Sequence, residues 1–401
     1  MILPLAAVID TGTKNNRINA IFYSCLSLKM TNTTKPTLKF RIVIRKAPHP
    51  IIKNRFSMVY HDDAIRILEH SIAELTIQDV IRKSDRMPFP ADTLLIQFNS
   101  IAKDVMKKMS GSYDSHRRDM VTFFGAPTIV IAKIWDLIVA NNIRNGNENK
   151  ISNKEHLLWA LHYMKQAPNF TVLCKTMMAN TNKCPTKKTV LKWVWFYVRE
   201  IQALEDTVIV WDHRKTNDRG DDCLVSVDCI DCQFQQILID HPTIPGKKIV
   251  NKALYSHKFH GPALRYEVAV SLLSNDIVWI NGPFCPGDWN DIEIFRLQLI
   301  NQLEYGERVE ADNGYVGEAP KFVVCPLSCI TKNESLPMMR RVEGRHEGLN
   351  RHIKNWKCIN GHFEVRGSAM AKMEKHGSLF RACAVVKQVS MQMGVGELYE
   401  I

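Results

Sequence analysis

Between Thr11 and Tyr60 the chain has no aspartate or glutamate, while lysine and arginine occur ten times, from Lys14 to Arg55. Three readings fit this basic stretch: a nucleic-acid-binding arm, an organelle-targeting segment, or an extension of the gene ahead of a true start at Met30 or Met58. The opening "MILPLAAVID" lacks the charged n-region of a secretory signal. Nowhere do eighteen apolar residues run together, so no membrane span is expected. Cysteines number eleven, an odd count in a long chain, which argues for reduced thiols rather than a disulfide scaffold.

A chain of 401 residues with 45% hydrophobic and 23% charged residues can bury a large core and build two or three domains. Its formal charge of +12 points to a polyanionic partner. Residues 1–57 are expected to form a disordered basic tail, followed by a helical module over 58–211. "HDDAIRILEHSIAELTIQDVI" and "TLLIQFNSIAKDVMKKM" carry apolar residues at helical spacing. "ISNKEHLLWALHYMKQAP" has a capping box of Ser152 with Glu155, a buried stripe of Leu157, Leu158, Leu161 and Met164, and a stop before Pro168. A short helix around "FTVLCKTMM" and a longer one with Val190, Leu191, Val194, Trp195 and Val198 on one face could pair as a helix-turn-helix. Plain helical packing explains the same pattern equally well.

"DHRKTNDRGDD", residues 212–222, reads as a linker, and strands follow over 223–395. "CLVSVDCID" is the first, and "LRYEVAVSLL" with "DIVWINGPF" forms a hairpin around Ser274 and Asn275. "NDIEIFRLQLINQLEYG" is helical, capped near Asn290 or Asp291 and closed by Gly306. "ERVEAD" and "KFVVCP" are short strands, and a final helix runs through "HEGLNRHIKNW". This β-β-β-α-β-β-α order is a mixed α/β sheet, the layout expected of a ribonuclease H-like domain.

Three acids stand at comparable places: Asp228 at the end of the first strand, Asp312 after the fourth, and Glu347 near the start of the last helix. Carboxyl ends of adjacent strands meet at the site crevice of an open sheet. At 100° per residue Glu347, Asn350, Arg351 and Lys354 share a helix face opposite Leu349, Ile353 and Trp356. Carboxylates within about 4 Å repel by several kcal/mol per pair at an effective dielectric near 20, so three stay ionised together only beside cations. Two Mg²⁺ ions about 3.5–4 Å apart suit such oxygen ligands and the activation of a water or 3′-hydroxyl. Singly, each acid is an ordinary strand-end or helix-start residue.

The stretches "VSVDCID", "YSHKFHGPALRYEVAV", "DIVWINGPFCPGDWNDIEIFR", "VEADNGYVG" and "RHEGLNRHIKNWKCI" resemble the DDE transposases of the PIF/Harbinger group. The resemblance implies that Asp228, Asp312 and Glu347 are catalytic and hold Mg²⁺, with Mn²⁺ substituting. Glu347 follows Asp312 at an interval of 35 positions, and six residues lie between Glu347 and Lys354. Asp291 falls on a His-Asp segment of the family, with Asn290 in the histidine's place, and is an additional acid for the site. Lys258, Arg345, Arg351 and Lys354 are expected on DNA phosphates. Cys229 and Ile230 replace the usual Gly-Thr, and Glu343 replaces an arginine of the related signature. The implied activity is cutting of double-stranded DNA at terminal inverted repeats and joining of 3′ ends to target DNA. A Myb-like accessory protein, self-association and a nuclear location (the cytoplasm being the alternative) come with it.

A retained, non-catalytic DNA-binding protein derived from a transposase is the alternative reading. A zinc site from Cys229 and Cys232 with Cys325 and Cys329 is disfavoured, because residues three apart on a regular strand point to opposite sides. His257 and His260 fit a phosphate contact or a plain turn.

Overall fold

In the computed structural model the described residues are the backbone of 2–8, 21–28 and 38–43, and residues 88–106, 113–147, 150–151, 153–177, 184–215, 223–328, 332–360 and 367–395. The chain divides into two compact units, Met1–Thr76 and Ile77–Ile401. In the first, strands β1 (Ile2–Val8), β2 (Ile21–Leu28) and β3 (Leu38–Val43) form an antiparallel sheet, where sequence suggested a disordered tail. The helix expected over "HDDAIRILEHSIAELTIQDVI" lies outside the described residues.

The second unit opens with helices α1 (Asp92–Met106), α2 (Tyr113–Phe124), α3 (Thr128–Arg144), α4 (Lys154–Gln166), α5 (Phe170–Met177), α6 (Lys187–Gln202) and the single turn α7 (Glu205–Val208). The stripe of α4 is buried as expected, with Leu157, Leu158, Leu161 and Met164 all sealed from solvent. Its cap is Asn153 rather than Ser152: the Asn153 side chain accepts the N–H of Glu155 at 3.2 Å, and the helix starts one residue later. Thr186 caps α6 in the same manner, accepting from Thr189. Val190, Val194 and Val198 are buried with Tyr197 and Ile201, and α6 is packed by α4, α5 and α3. No single helix among the described residues is long and apolar enough to cross a membrane.

The expected linker is anchored at its beginning. Trp211–Lys215 forms a 3₁₀ turn, and the Arg214 guanidinium, almost wholly buried, pairs with Glu307 through Nε–Oε1 at 2.8 Å and Nη2–Oε2 at 3.1 Å.

Beyond it the structure is a mixed sheet. Strands β4 (Cys223–Gln233), β8 (Gly261–Ser271) and β9 (Ile277–Phe284) are joined by the small β5 (Leu238–Asp240), β6 (Lys248–Val250) and β7 (Tyr255–Ser256). Helix α8 (Asp291–Leu297) leads to β10 (Arg308–Ala311) and β11 (Val323–Val324). The main order is β9–β8–β4–β10–β11: β8 is antiparallel to β4 and β9, while β10 runs parallel to β4 and β11. The hairpin turn carries Asn275 at φ +59°, a conformation asparagine tolerates. Helix α8 is shorter than its sequence suggested, a 3₁₀ segment Leu299–Gln302 replacing its second half.

Two helices close the chain. α9 (Lys332–Lys354) begins fifteen residues before Glu347, which therefore lies in its last third and not near its start. It is not the final helix either, since α10 (Ala369–Gln392) follows. Pro337 and Gly344 read as breakers in the polar sequence that opens α9. α10 shows no amphipathic stripe because it is enclosed: Leu379, Phe380, Cys383, Val385, Val386 and Val389 are all buried on different faces.

α10 packs on α6, α3 and α7 and also on β9 and α9. One core therefore runs from the helical module through α10 to a sheet face carrying Ile230, Cys232, Tyr266 and Val268. A smaller core on the other face gathers Val225, Val227, Phe295, Val309 and Tyr315. The alternation along β4 separates Cys229, whose thiol accepts from Tyr315 at 3.5 Å, from Cys232 in the larger core. The two thiols thus serve opposite faces, as a regular strand requires.

Candidate active site

β10 ends where Ala311 lies beside Val227, so the next residue, Asp312, follows opposite Asp228. Asp228 is not at the end of its strand. β4 continues five residues further because β8 pairs with it as far as Gln233, and only the parallel partner stops. The break in pairing opens the crevice on one side of Asp228.

Asp312 caps the 3₁₀ turn Asn313–Glu318, its Oδ1 accepting the Gly314 N–H at 2.9 Å. This local bond fixes the carboxylate at the crevice and explains the Asp-Asn-Gly order. Asp228 accepts the Cys229 N–H on Oδ1 at 2.7 Å and a hydrogen bond from the Asn350 amide of α9. Burial raises the Asp228 carboxyl to about 6; Lys258 opposes the rise, and the charge of Asp312 adds to it. The action of Asp312 on Asp228 puts the two acids in one neighbourhood.

Asp291 comes to the same place. It starts α8, and its Oδ1 is 2.7 Å from Arg265 Nη1. A β-carbon on Gly314 would lie 3.0 Å from Asp312 Oδ1 and 3.9 Å from Asp291 Oδ2, so the two acids flank one glycine. Burial raises Asp291 as well, against Arg265 and Lys258, with Asp228 among the groups that add to the rise.

Behind them Arg265 holds Asp231 through Nε–Oδ1 at 2.7 Å and Nη2–Oδ2 at 2.9 Å, while Ser256 Oγ donates to Asp231 Oδ2 at 2.6 Å. Asp231 and Arg265 are direct cross-strand partners, the unit by which sheets are stabilised. These charge-assisted bonds hold the Asp231 carboxyl below its ordinary value despite its burial. Period-two alternation places Asp231 with Cys229, but nothing in the sequence pairs it with Arg265.

Glu347 is exposed on α9. Its helix docks through Ser226 Oγ and His346 Nε2, 2.9 Å apart, through Asn350 on Asp228, and through buried Leu349 and Ile353, with buried Trp356 just beyond its end. Glu347 lies one position from His346, on the flank of the docked face that also carries Lys354. Among the described residues no three His, Cys, Asp or Glu side chains converge closely enough to hold a metal ion. Short of such convergence, Asp228 shares its surroundings pairwise with Asp312 and with Asp291, and Glu347 is on the exposed side of α9.

The expected phosphate-binding residues divide in the same way. Arg351 is exposed, and Lys354 Nζ lies 5.1 Å from the centre of the Phe259 ring. Arg345 is turned inward, its Nη1 2.7 Å from Glu310 Oε2 in a nearly buried pair. Lys258 reaches back from the Tyr255–Gly261 turn, its Nζ donating to Cys229 O at 3.3 Å. His346 and Asn350, spaced i and i+4, are the contacts that sequence reasoning passed over. His257 and His260 lie in the exposed turn.

Comparison of the chain with protein-family models, with curated proteins and with solved structures gave no match.

Proposed function

We propose that this chain is a divalent-metal-dependent DNA endonuclease with a ribonuclease H-like catalytic domain, acting as a DDE-type transposase. The observation that carries the reading is the parallel register of Ala311 with Val227, which sets Asp312 beside Asp228. The strand order supports it: three antiparallel strands with two more parallel to the first, helices on both faces, and acids where the parallel pair ends. The charge of +12 fits a polyanionic substrate.

Asp228 and Asp312 suit Mg²⁺ or Mn²⁺. Both offer hard oxygens, and the penalty on ionised Asp228 is relieved by a neighbouring cation. A bound divalent ion would supply Lewis-acid polarisation of a phosphoryl oxygen and an activated water or 3′-hydroxyl. Asp312 is oriented by the Gly314 amide and Asp228 by Cys229 and Asn350, so neither carboxylate has to be reordered when substrate arrives. Glu347, exposed on α9 about one turn before Asn350, is the third acid of the triad in this reading. Exposed Arg351 and half-buried Lys354 line the approach for DNA phosphate.

The test is nicking of supercoiled plasmid in Mg²⁺ by the parent, Asp228→Asn, Asp312→Asn and Glu347→Gln. The reading expects nicking by the parent and its loss in each variant. Equal nicking by all four proteins would refute it. A folded parent that binds plasmid without cutting it would favour the retained DNA-binding protein.

A further inference from the structure

Lys258 stands in an unusual place for a residue of a surface turn. Its backbone and stem belong to the exposed Tyr255–Gly261 turn, yet its amine is directed back over the sheet. The turn is pinned in three steps: Asp231 accepts from Ser256 Oγ, Ser256 Oγ accepts the Lys258 N–H at 3.2 Å, and Asp231 is clamped by Arg265. The same Arg265 ties Asp291. One buried ion-pair network therefore presents both Lys258 and Asp291 to Asp228.

The amine bonds to the carbonyl of Cys229, the residue next to Asp228. The carboxylates acting on it are Asp228, Asp291 and Asp231, in that order. Asp231 and Asp291 are both paired with Arg265, so the ammonium serves chiefly Asp228. Aimed outward, a lysine in this turn would be a plain phosphate contact; its bond to Cys229 O aims it inward.

We propose that Lys258 is a positioning residue, an internal counter-ion beside Asp228, and that a divalent cation held by Asp228 and Asp312 binds in competition with its ammonium. This rests on the metal-dependent reading above. Lys258 offsets the negative charge of the pocket before loading, and is released toward DNA phosphate when the ion takes its place. The chain thereby couples metal loading to phosphate capture.

The experiment measures Mn²⁺ binding to the full chain by the loss of the free-ion electron paramagnetic resonance signal. Parent, Lys258→Met, Lys258→Arg and the double variant Lys258→Met with Asp228→Asn are compared. Lys258→Met is expected to bind Mn²⁺ at least about tenfold more tightly than the parent. Lys258→Arg should return affinity to the parent's range, and the double variant should lose the gain. A purely structural lysine would weaken binding when removed, or leave it unchanged, and either result overturns the proposal. A gain that persists without Asp228 overturns it too. Plasmid nicking by the parent distinguishes the two failures. A parent that nicks, with Lys258→Met binding Mn²⁺ no better, removes only this inference; absence of both nicking and Mn²⁺ binding in every protein removes the nuclease reading with it.

Discussion

At the scale of the residue, the site is held by pairs that sequence spacing does not display. Arg345 and Glu310, thirty-five residues apart, meet in a nearly buried ion pair that fastens α9 to β10. Removing one partner strands the other charge, and Arg345→Met is expected to cost about 3–5 kcal/mol, read from urea denaturation. Glu267 gives a pH signature. It lies wholly buried opposite Cys229, with Trp279 Nε1 donating to it at 2.9 Å, and burial raises its carboxyl to about 7. An acid that binds its proton more tightly when folded loses stability as pH rises from its unfolded value of 4.5 toward 7. Asp228 adds in the same direction between 3.8 and about 6. Glu267→Gln, which keeps the acceptor without the charge, should therefore stabilise the chain roughly 2–3 kcal/mol more at pH 8 than at pH 5. A shift of the same size at both pH values would show that the carboxyl is not protonated on folding.

At the scale of the element, the strands and the turn at Asp312 were legible because their signals are local: alternation, a β-rich run, and an Asp-Asn-Gly stop. Helix limits were less so. α9 starts early in a polar stretch whose Pro337 and Gly344 argue against helix, and its place is secured by tertiary contacts, to the 3₁₀ turn Pro326–Ser328 and, near its end, to Ser226. α10 escaped notice because enclosure on all sides removes the amphipathic period from which helices are read. Two substitutions on α9 separate its faces. Leu349→Ala, in the sealed face, should cost about 2–5 kcal/mol and loosen the Asn350 bond to Asp228. Arg351→Ala, on the exposed face, should stay within about 0.5 kcal/mol while weakening plasmid binding. Thermal melts and a gel-shift titration read both.

At the scale of the whole molecule, α10 alters the picture of a helical module tethered to a catalytic domain. Gln388 donates to Asp276 and accepts from Ile277 N–H, fixing α10 to the β8–β9 hairpin while its other sides pack on α3, α6 and α7. Trp356, just past the end of α9, fills the space over Gly125 at the end of α2, where a β-carbon would collide with the ring; φ there is +79°, so glycine serves on both counts. Residues 88–395 should unfold as one cooperative unit. A protease site introduced between Lys215 and Cys223, once cut, should leave both pieces co-eluting; separate elution would mean independent domains. The composition change near residue 212 was readable in sequence, but the shared core was not, because it depends on a helix from the far end of the chain.

The central claim is that Asp312 and Asp228 ligate a catalytic metal. Its most direct measurement is plasmid nicking by Asp312→Cys in Mg²⁺ and in Mn²⁺. A thiolate is a poor partner for Mg²⁺ and a better one for the softer ion. The prediction is loss of nicking in Mg²⁺ and its return in Mn²⁺, with the parent active in both. Nicking in Mg²⁺ by Asp312→Cys at the parent's rate would contradict it.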